Sequence, residues 1–219
     1  MGRPASAGNR LLTALPAGDF ALLAPHLQKV SLEQDAVVIR AGDRRDRLYF
    51  PHSGAISFML GLPNGETIAT AVIGREGAIG ALSVLGPSFM SSVTAVVRVG
   101  GTASQISVSR FHAAYMESGA IRHVVEAHTR SILMQFQHVS GCNGLHSVEA
   151  RMARWLLYLQ DRTEQQHPII NAGDVCAVAR GATNDRDARD CQTPRLRCHQ
   201  IRSAGLGRNR PGAARGSNL

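Results

Sequence analysis

Short β-rich segments separated by glycine-containing turns fill residues 30–108, and they constrain the fold more than any other feature of the chain. The clearest turn is Pro63-Asn64-Gly65-Glu66, because an Asn-Gly pair readily adopts the positive φ values that tight hairpins need. Many short strands at such spacing predict an antiparallel sandwich or jelly roll. Before them, residues 9–29 predict two short helices around a turn at 16–19. The predicted strands are residues 36–40, 48–50, 55–60, 67–72, 94–99 and 103–108.

Residues 120–163 change to a helical pattern. Apolar and amide side chains recur there at steps of four and three, a narrow seam of the kind that packs one helix against a partner helix. We therefore predict a dimerisation helix over residues 119–145. The residues of its predicted dimer seam are Ile121, Val125, His128, Ile132, Gln135 and Val139.

A second helix is predicted after a break at Asn143-Gly144. Ser147 can cap it by accepting an early backbone N–H, and Glu149 lies in the first turn, where the helix dipole favours an acid. Its apolar face is formed by Val148, Met152, Trp155, Leu156 and Leu159, with Arg151 and Arg154 predicted toward the other side. Two ordinary core helices are the alternative interpretation of residues 120–163.

The run CNGLHSVEARMARWLLYLQDRT, residues 142–163, resembles the hinge and first DNA-domain helix of the Crp/Fnr (catabolite activator/FNR) family of bacterial transcription regulators. The resemblance implies an α+β chain with an N-terminal, cyclic nucleotide-binding-like double-stranded β-roll as its sensor domain, residues 9–118. The dimerisation and connector helix, 119–145, and the start of a winged helix-turn-helix, 146–172, would follow. It also implies a homodimer that binds promoter DNA, and no enzyme.

The candidate effector site is the glycine-rich run VIGREGAIGAL, residues 72–82. Closely spaced glycines let backbone amides approach an anionic ligand, and the run resembles the phosphate-binding cassette of the family. The alternative is that its glycines only shape a turn. On the resemblance, the candidate effector-binding residues are Gly74, Arg75, Glu76, Gly77, Gly80, Ala81 and Thr94.

Two positions depart from the nucleotide-binding members of that family. Ala81 stands where they place a glutamate for the ribose 2′-hydroxyl, and Val93 stands where they place an arginine for the cyclic phosphate. Without the arginine, the charge-assisted pairing that makes phosphate recognition strong is lost. We therefore expect a small-molecule effector of unknown identity and not a cyclic nucleotide.

The formal net charge of +8 comes almost wholly from arginine, since Lys29 is the only lysine. Such a balance suits nucleic acid, although it also fits a merely soluble protein. Four cysteines without a C-x-x-C pair fit a reducing cytoplasm, and no apolar run reaches the roughly 18 residues of a membrane span. Neither G-x-S-x-G nor H-E-x-x-H occurs, so we predict no catalytic residues, metal site or cofactor.

Residues 173–219 contain no aromatic residue and few large aliphatic ones. Such a segment buries too little apolar surface to offset its ordering entropy, so we predict a disordered tail. The run GDVCAVARGATNDRDARD supplies no recognition helix, and its acids would face DNA phosphates. The winged-helix region is therefore predicted to be degenerate or incomplete, with no DNA-binding residue assigned.

A shifted reading frame would supply the recognition helix that this region lacks. The codons of residues 174–189 permit the string MSAQLLGVRRTTVTLV, which looks like an apolar first helix, a glycine turn and an Arg/Thr-rich recognition helix. We therefore hypothesise a single-base insertion or deletion between Thr163 and Asp174. Two alternatives remain, a basic disordered tail that binds nucleic acid nonspecifically and a stand-alone β-roll sensor or dimerisation module without specific DNA binding.

Overall fold

A pair of antiparallel sheets forms the centre of the fold, as seen in a computed structural model that describes residues 8–44, 46–85, 90–163 and 177–178. Within these residues, two α-helices precede the strands and three follow them. The helices are α1 (Arg10–Thr13), α2 (Ala17–Leu23), α3 (Val108–Glu117), α4 (Gly119–Leu145) and α5 (Val148–Thr163). The strands are β1 (Gln28–Leu32), β2 (Val37–Ile39), β3 (Arg47–Pro51), β4 (Ala55–Gly61), β5 (Thr67–Ile73), β6 (Thr94–Val99) and β7 (Gly101–Ser107).

The strands form one three-stranded sheet, in the order β1-β7-β3, and one four-stranded sheet, in the order β2-β6-β4-β5. Their pairings are antiparallel, and β4 and β5 form the hairpin predicted from Asn64-Gly65, with Gly65 at φ 81°. Apolar residues of the two sheets meet in a shared interior: Leu32, Ile56, Phe58, Ala71, Ile73, Ala95, Val97 and Ala103. The predicted β-roll is confirmed.

Each of the six predicted strands overlaps an observed one, but the prediction missed β1 and α3. In β1 four of the five residues are exposed or half-buried, so no alternation of apolar and polar residues marks it as a strand. The predicted last strand ran to residue 108 because the chain passes from β7 into α3 without a turn. Ser107 caps α3 there by accepting from Arg110 N at 3.3 Å.

The helices α1, α2 and α3 and the first part of α4 cover one end of the roll. Their apolar side chains pack with those of β3 in one cluster that includes Leu12, Leu23, Phe50, Phe111 and Ile121. The helix α2 begins at Ala17, directly after Pro16, so part of the predicted turn is its first turn.

The long helix α4 runs from Gly119 to Leu145. Most of its predicted dimer seam packs within the same chain, with Ile121 and Val125 in the helical cluster and Ile132 in the interior of the roll. Five of the six seam residues are at most 5% exposed and Gln135 is 9% exposed within the single chain. The periodicity thus identified a face of α4 that is buried within the chain, because a helical period marks a covered face without telling which surface covers it. The six residues are Ile121, Val125, His128, Ile132, Gln135 and Val139.

The predicted break at Asn143-Gly144 lies inside α4. The helix continues through Asn143-Gly144 to Leu145, and His146, with φ −106° and ψ 148°, leaves the helix while its N–H donates to Cys142 O at 3.0 Å. Ser147 then stands directly before α5, with its Oγ 3.5 Å from Ala150 N.

The helix α5 packs against the outer face of the four-stranded sheet. Its predicted apolar face is confirmed, since Met152, Trp155, Leu156 and Leu159 are buried and cluster with residues of β4 and β5 such as Met59, Ala69 and Val72. Arg151 was expected on the other side, yet it is 0% exposed, because it lies one turn before Trp155. With the roll interior beneath and α5 above, residues 55–59 of β4 are buried without interruption.

The predicted winged-helix region beyond Thr163 and the predicted disordered tail, 173–219, lie outside the described residues, apart from Ala177 and Val178. These two are buried in the cluster beneath α5. Among the described helices, none combines the length and the apolar character that a membrane crossing requires.

Candidate functional site

The glycine-rich loop of residues 74–80, here called the glycine loop, leaves β5 at Ile73 and is pinned to β3. Ile79 N donates to Tyr49 O at 2.8 Å and Tyr49 N donates to Ile79 O at 3.0 Å. Within the loop, Gly77 N donates to Gly74 O at 3.2 Å. Gly80 has φ +87° and a Cβ there would lie 2.9 Å from Arg47 O, so this position requires glycine.

The N-terminal segment fastens the glycine loop from one side. Asn9 is fully buried, and its Nδ2 donates to Gly77 O at 2.8 Å and to Pro51 O at 2.9 Å. Its Oδ1 caps α1 by accepting from Leu11 N and Leu12 N, so every polar atom of this side chain has a partner. Arg10 N also donates to Arg75 O at 2.7 Å. Sequence reasoning missed Asn9, although an Asn before an apolar helical run is a capping signal.

The long helix α4 reaches the loop through His128, whose Nε2 lies 3.2 Å from Ala78 N and 3.0 Å from Ala78 O. A neutral ring can accept from the amide or donate to the carbonyl according to its tautomer. Burial lowers the pKa of His128, against smaller raising effects of the Ala78 hydrogen bond and the Glu76 charge. A Cβ at Gly77 would lie 2.7 Å from His128 Cε1, so glycine permits this approach.

The helix α5 reaches the opposite end of the loop through Arg162. Its Nε lies 3.0 Å from Glu76 Oε1 and donates to Val72 O at 2.7 Å. Glu76 Oε1 also accepts from Gly74 N at 3.0 Å. Gly74 gives Arg162 its space, because a Cβ at Gly74 would lie 2.7 Å from Arg162 Cβ.

The remaining candidate effector residues are dispersed. Arg75 is half-buried beside the N-terminal segment, and Ala81 is buried in the apolar helical cluster with Leu12 and Phe111. Thr94 lies at the start of β6, where its Oγ1 accepts from Ala41 N at 3.1 Å. The structure thus joins Gly74, Glu76 and Gly77 with His128 and Arg162, while Ala81 and Thr94 contact other parts of the fold.

A cavity of about 10 Å³ lies between this helical cluster and the glycine loop, which is room for about one water molecule. Its walls are almost wholly apolar and include Leu12, Leu23, Phe50, Phe111, Val125 and His128. A nucleotide does not fit this cavity. Within the described parts of the chain, no three His, Cys, Asp or Glu side chains are grouped closely enough to hold a metal ion.

Residues 29–118 match the family model of the cyclic nucleotide-binding domain. No curated protein sequence matches the chain.

Several solved structures share the fold. The c-di-GMP responsive global regulator CLP of Xanthomonas campestris is 16% identical with a TM-score of 0.65, and the match covers 87% of this chain and 94% of that one. FixK2 of Bradyrhizobium japonicum is 15% identical with a TM-score of 0.62, covering 82% and 86% of the two chains. A putative transcriptional regulator of the Crp/Fnr family from Eubacterium rectale is 13% identical with a TM-score of 0.65, covering 80% and 81%.

At sequence identities this low, the likeness to these solved structures shows a shared fold alone. It agrees with the family match and with the two antiparallel sheets followed by the 27-residue helix α4. The chain therefore carries a β-roll of the cyclic nucleotide-binding-domain type followed by a long helix, a fold that it shares with Crp/Fnr regulators.

Proposed function

We propose that the protein is a DNA-binding transcription regulator of the Crp/Fnr type, in which an effector-sensing β-roll acts through α4 and α5 on a winged-helix domain. One observation carries this proposal: the glycine loop contacts both helices, α4 through His128 at Ala78 and α5 through Arg162 at Glu76. A ligand that rearranges the loop therefore changes how both helices are held. The sequence of α5 is the one that resembles a first DNA-domain helix.

The effector is a small molecule other than a cyclic nucleotide. A cyclic phosphate would need free loop amides and an arginine, whereas Gly74 N, Gly77 N and Ile79 N each have an acceptor within the chain. The position of the missing arginine is Val93, which packs against the apolar interior of the roll.

The active form is a homodimer that acts in the bacterial cytoplasm, where promoter DNA is found. Since the predicted seam is buried within the same chain, the dimer uses the opposite face of α4. Leu133 and Met134 are each 54% exposed there, and Leu145 at the helix end is 85% exposed. A two-fold dimer along α4 would place paired recognition helices on half-sites about one helical turn apart.

The test is selection of binding sites from a random DNA pool, with the full chain produced in the present frame and in the frame shifted after Thr163. The shifted-frame protein is expected to enrich a paired half-site motif whose binding survives excess competitor DNA. The present-frame protein is expected to bind only nonspecifically, with an affinity that collapses as salt rises. A shifted-frame protein without sequence preference contradicts the proposal.

A further inference from the structure

The last turn of α5 is fastened to the β-roll by Arg162. Besides its contacts with Glu76 Oε1 and Val72 O, its Nη1 donates to Tyr158 O at 3.2 Å, and its guanidinium lies 4.8 Å from the centroid of the Tyr158 ring. The Arg162 side chain is 17% exposed. Charge-assisted hydrogen bonds and stacking on an aromatic ring together fix its direction.

Glu76 completes the contact from the side of the roll. Its Oε1 accepts a hydrogen bond from Gly74 N and lies against Arg162 Nε, each at 3.0 Å. A backbone amide and a guanidinium are the donors that hold an anion on a glycine-rich loop. The Glu76 carboxylate thus serves as the loop's internal anion and at the same time joins the loop to α5.

The same helix packs its apolar face on β4 and β5, so the polar contact is not what buries α5. It instead sets where the helix end lies relative to the loop. Gly74 supports this assignment independently, because any side chain there would collide with Arg162 Cβ. The polar contact and the apolar packing of α5 thus involve different side chains of the helix.

We infer that Arg162, Glu76 and Val72 O form a latch that couples the conformation of the glycine loop to the position of the last turn of α5. When the loop changes shape, the latch opens and the last turn of α5 is released from the roll. As a regulatory device the latch rests on the proposed function, but the coupling itself is measurable without DNA or effector. Its failure is therefore distinguishable from failure of the proposed function.

The experiment is amide hydrogen exchange on the full chain, comparing wild type with Arg162→Gln, Glu76→Gln and the double variant. Each single variant is expected to speed exchange several-fold both at residues 74–78 and in the last turn of α5, because each breaks the same contact. The double variant is expected to exchange no faster than the singles, since two residues of one contact are not additive. Arg162→Lys is expected to exchange nearly as fast as Arg162→Gln at both places, because an ammonium lacks the fixed fork of donors that a guanidinium has.

Arg154→Gln is the matched control. Arg154 lies on the same helix 6.0 Å from the same Tyr158 ring, but its Nη1 is directed to His138 O of α4 at 3.5 Å. This variant is expected to leave exchange at residues 74–78 unchanged. Far-UV circular dichroism checks that every variant is folded. Unchanged loop exchange in Arg162→Gln and Glu76→Gln, or effects that simply add in the double variant, would overturn the latch.

Discussion

His128 is a buried residue whose protonation state decides which hydrogen bond it can make to the glycine loop. When the imidazole is neutral, its Nε2 can accept from Ala78 N, whereas a protonated ring can only donate. Burial lowers the pKa of His128 below the ordinary value of 6.5. The unfolded chain therefore binds this proton at a higher pH than the folded chain does. The resulting stability is fully present above pH 6.5 and is lost progressively as the pH falls below it.

We expect His128→Gln to weaken the pH dependence of stability. Wild type should lose free energy of unfolding between about pH 7.5 and about pH 5.5, on either side of the ordinary histidine pKa. The variant should lose less over the same interval, with a remainder from His52, whose pKa is lowered by burial and by Lys29. Urea unfolding at each pH measures this, with His123→Gln as the control because His123 is exposed on the same helix. Equal pH dependence in His128→Gln and wild type would exclude this role.

The elements differ in how far the sequence predicts them. The predicted ends of β3, β4, β5 and β6 lie within one residue of the observed ends. Glycine-containing turns mark these ends, and turn chemistry is local. The partners of the glycine loop were not predictable in this way. Asn9 and His128 lie 68 and 50 residues from the loop positions they contact, and no local pattern records such a contact. The glycines at 74 and 77 did indicate a close approach, but the approaching groups are Arg162 and His128 of the same chain.

At the level of elements, the outward face of α4 should hold the dimer together. Leu133→Glu combined with Met134→Glu places like charges on that face, next to their copies across the two-fold axis, and is expected to weaken dimerisation at least about tenfold. Sedimentation equilibrium of the full chain measures the association constant. Leu157→Glu is the control, because Leu157 is similarly exposed, 51%, on α5. An unchanged association constant in the double variant would place the dimer elsewhere.

On the scale of the whole molecule, the proposed DNA binding rests on two features, the net charge of the chain and the order of its parts. The net charge of +8 favours association with a polyanion. The helix α5 ends at Thr163, and the rest of the proposed DNA-binding domain would follow it in the chain. In the present frame, residues 174–189 contain Asp174, Asp185 and Asp187, which phosphates would repel. Sequence-specific DNA binding by this chain therefore requires the shifted frame.

The most direct test of this account is the nucleotide sequence of the codons from Tyr158 to Arg189. The third bases of these codons are nearly free in the present frame, yet each becomes the middle base of a shifted codon and so decides its residue. We predict that the shifted frame encodes an apolar helix, a glycine turn and an Arg/Thr-rich helix over residues 174–189, as in MSAQLLGVRRTTVTLV. Stop codons, or polar residues at the apolar positions of that string, would contradict this prediction. The proposal that this chain binds promoter DNA specifically would then be abandoned.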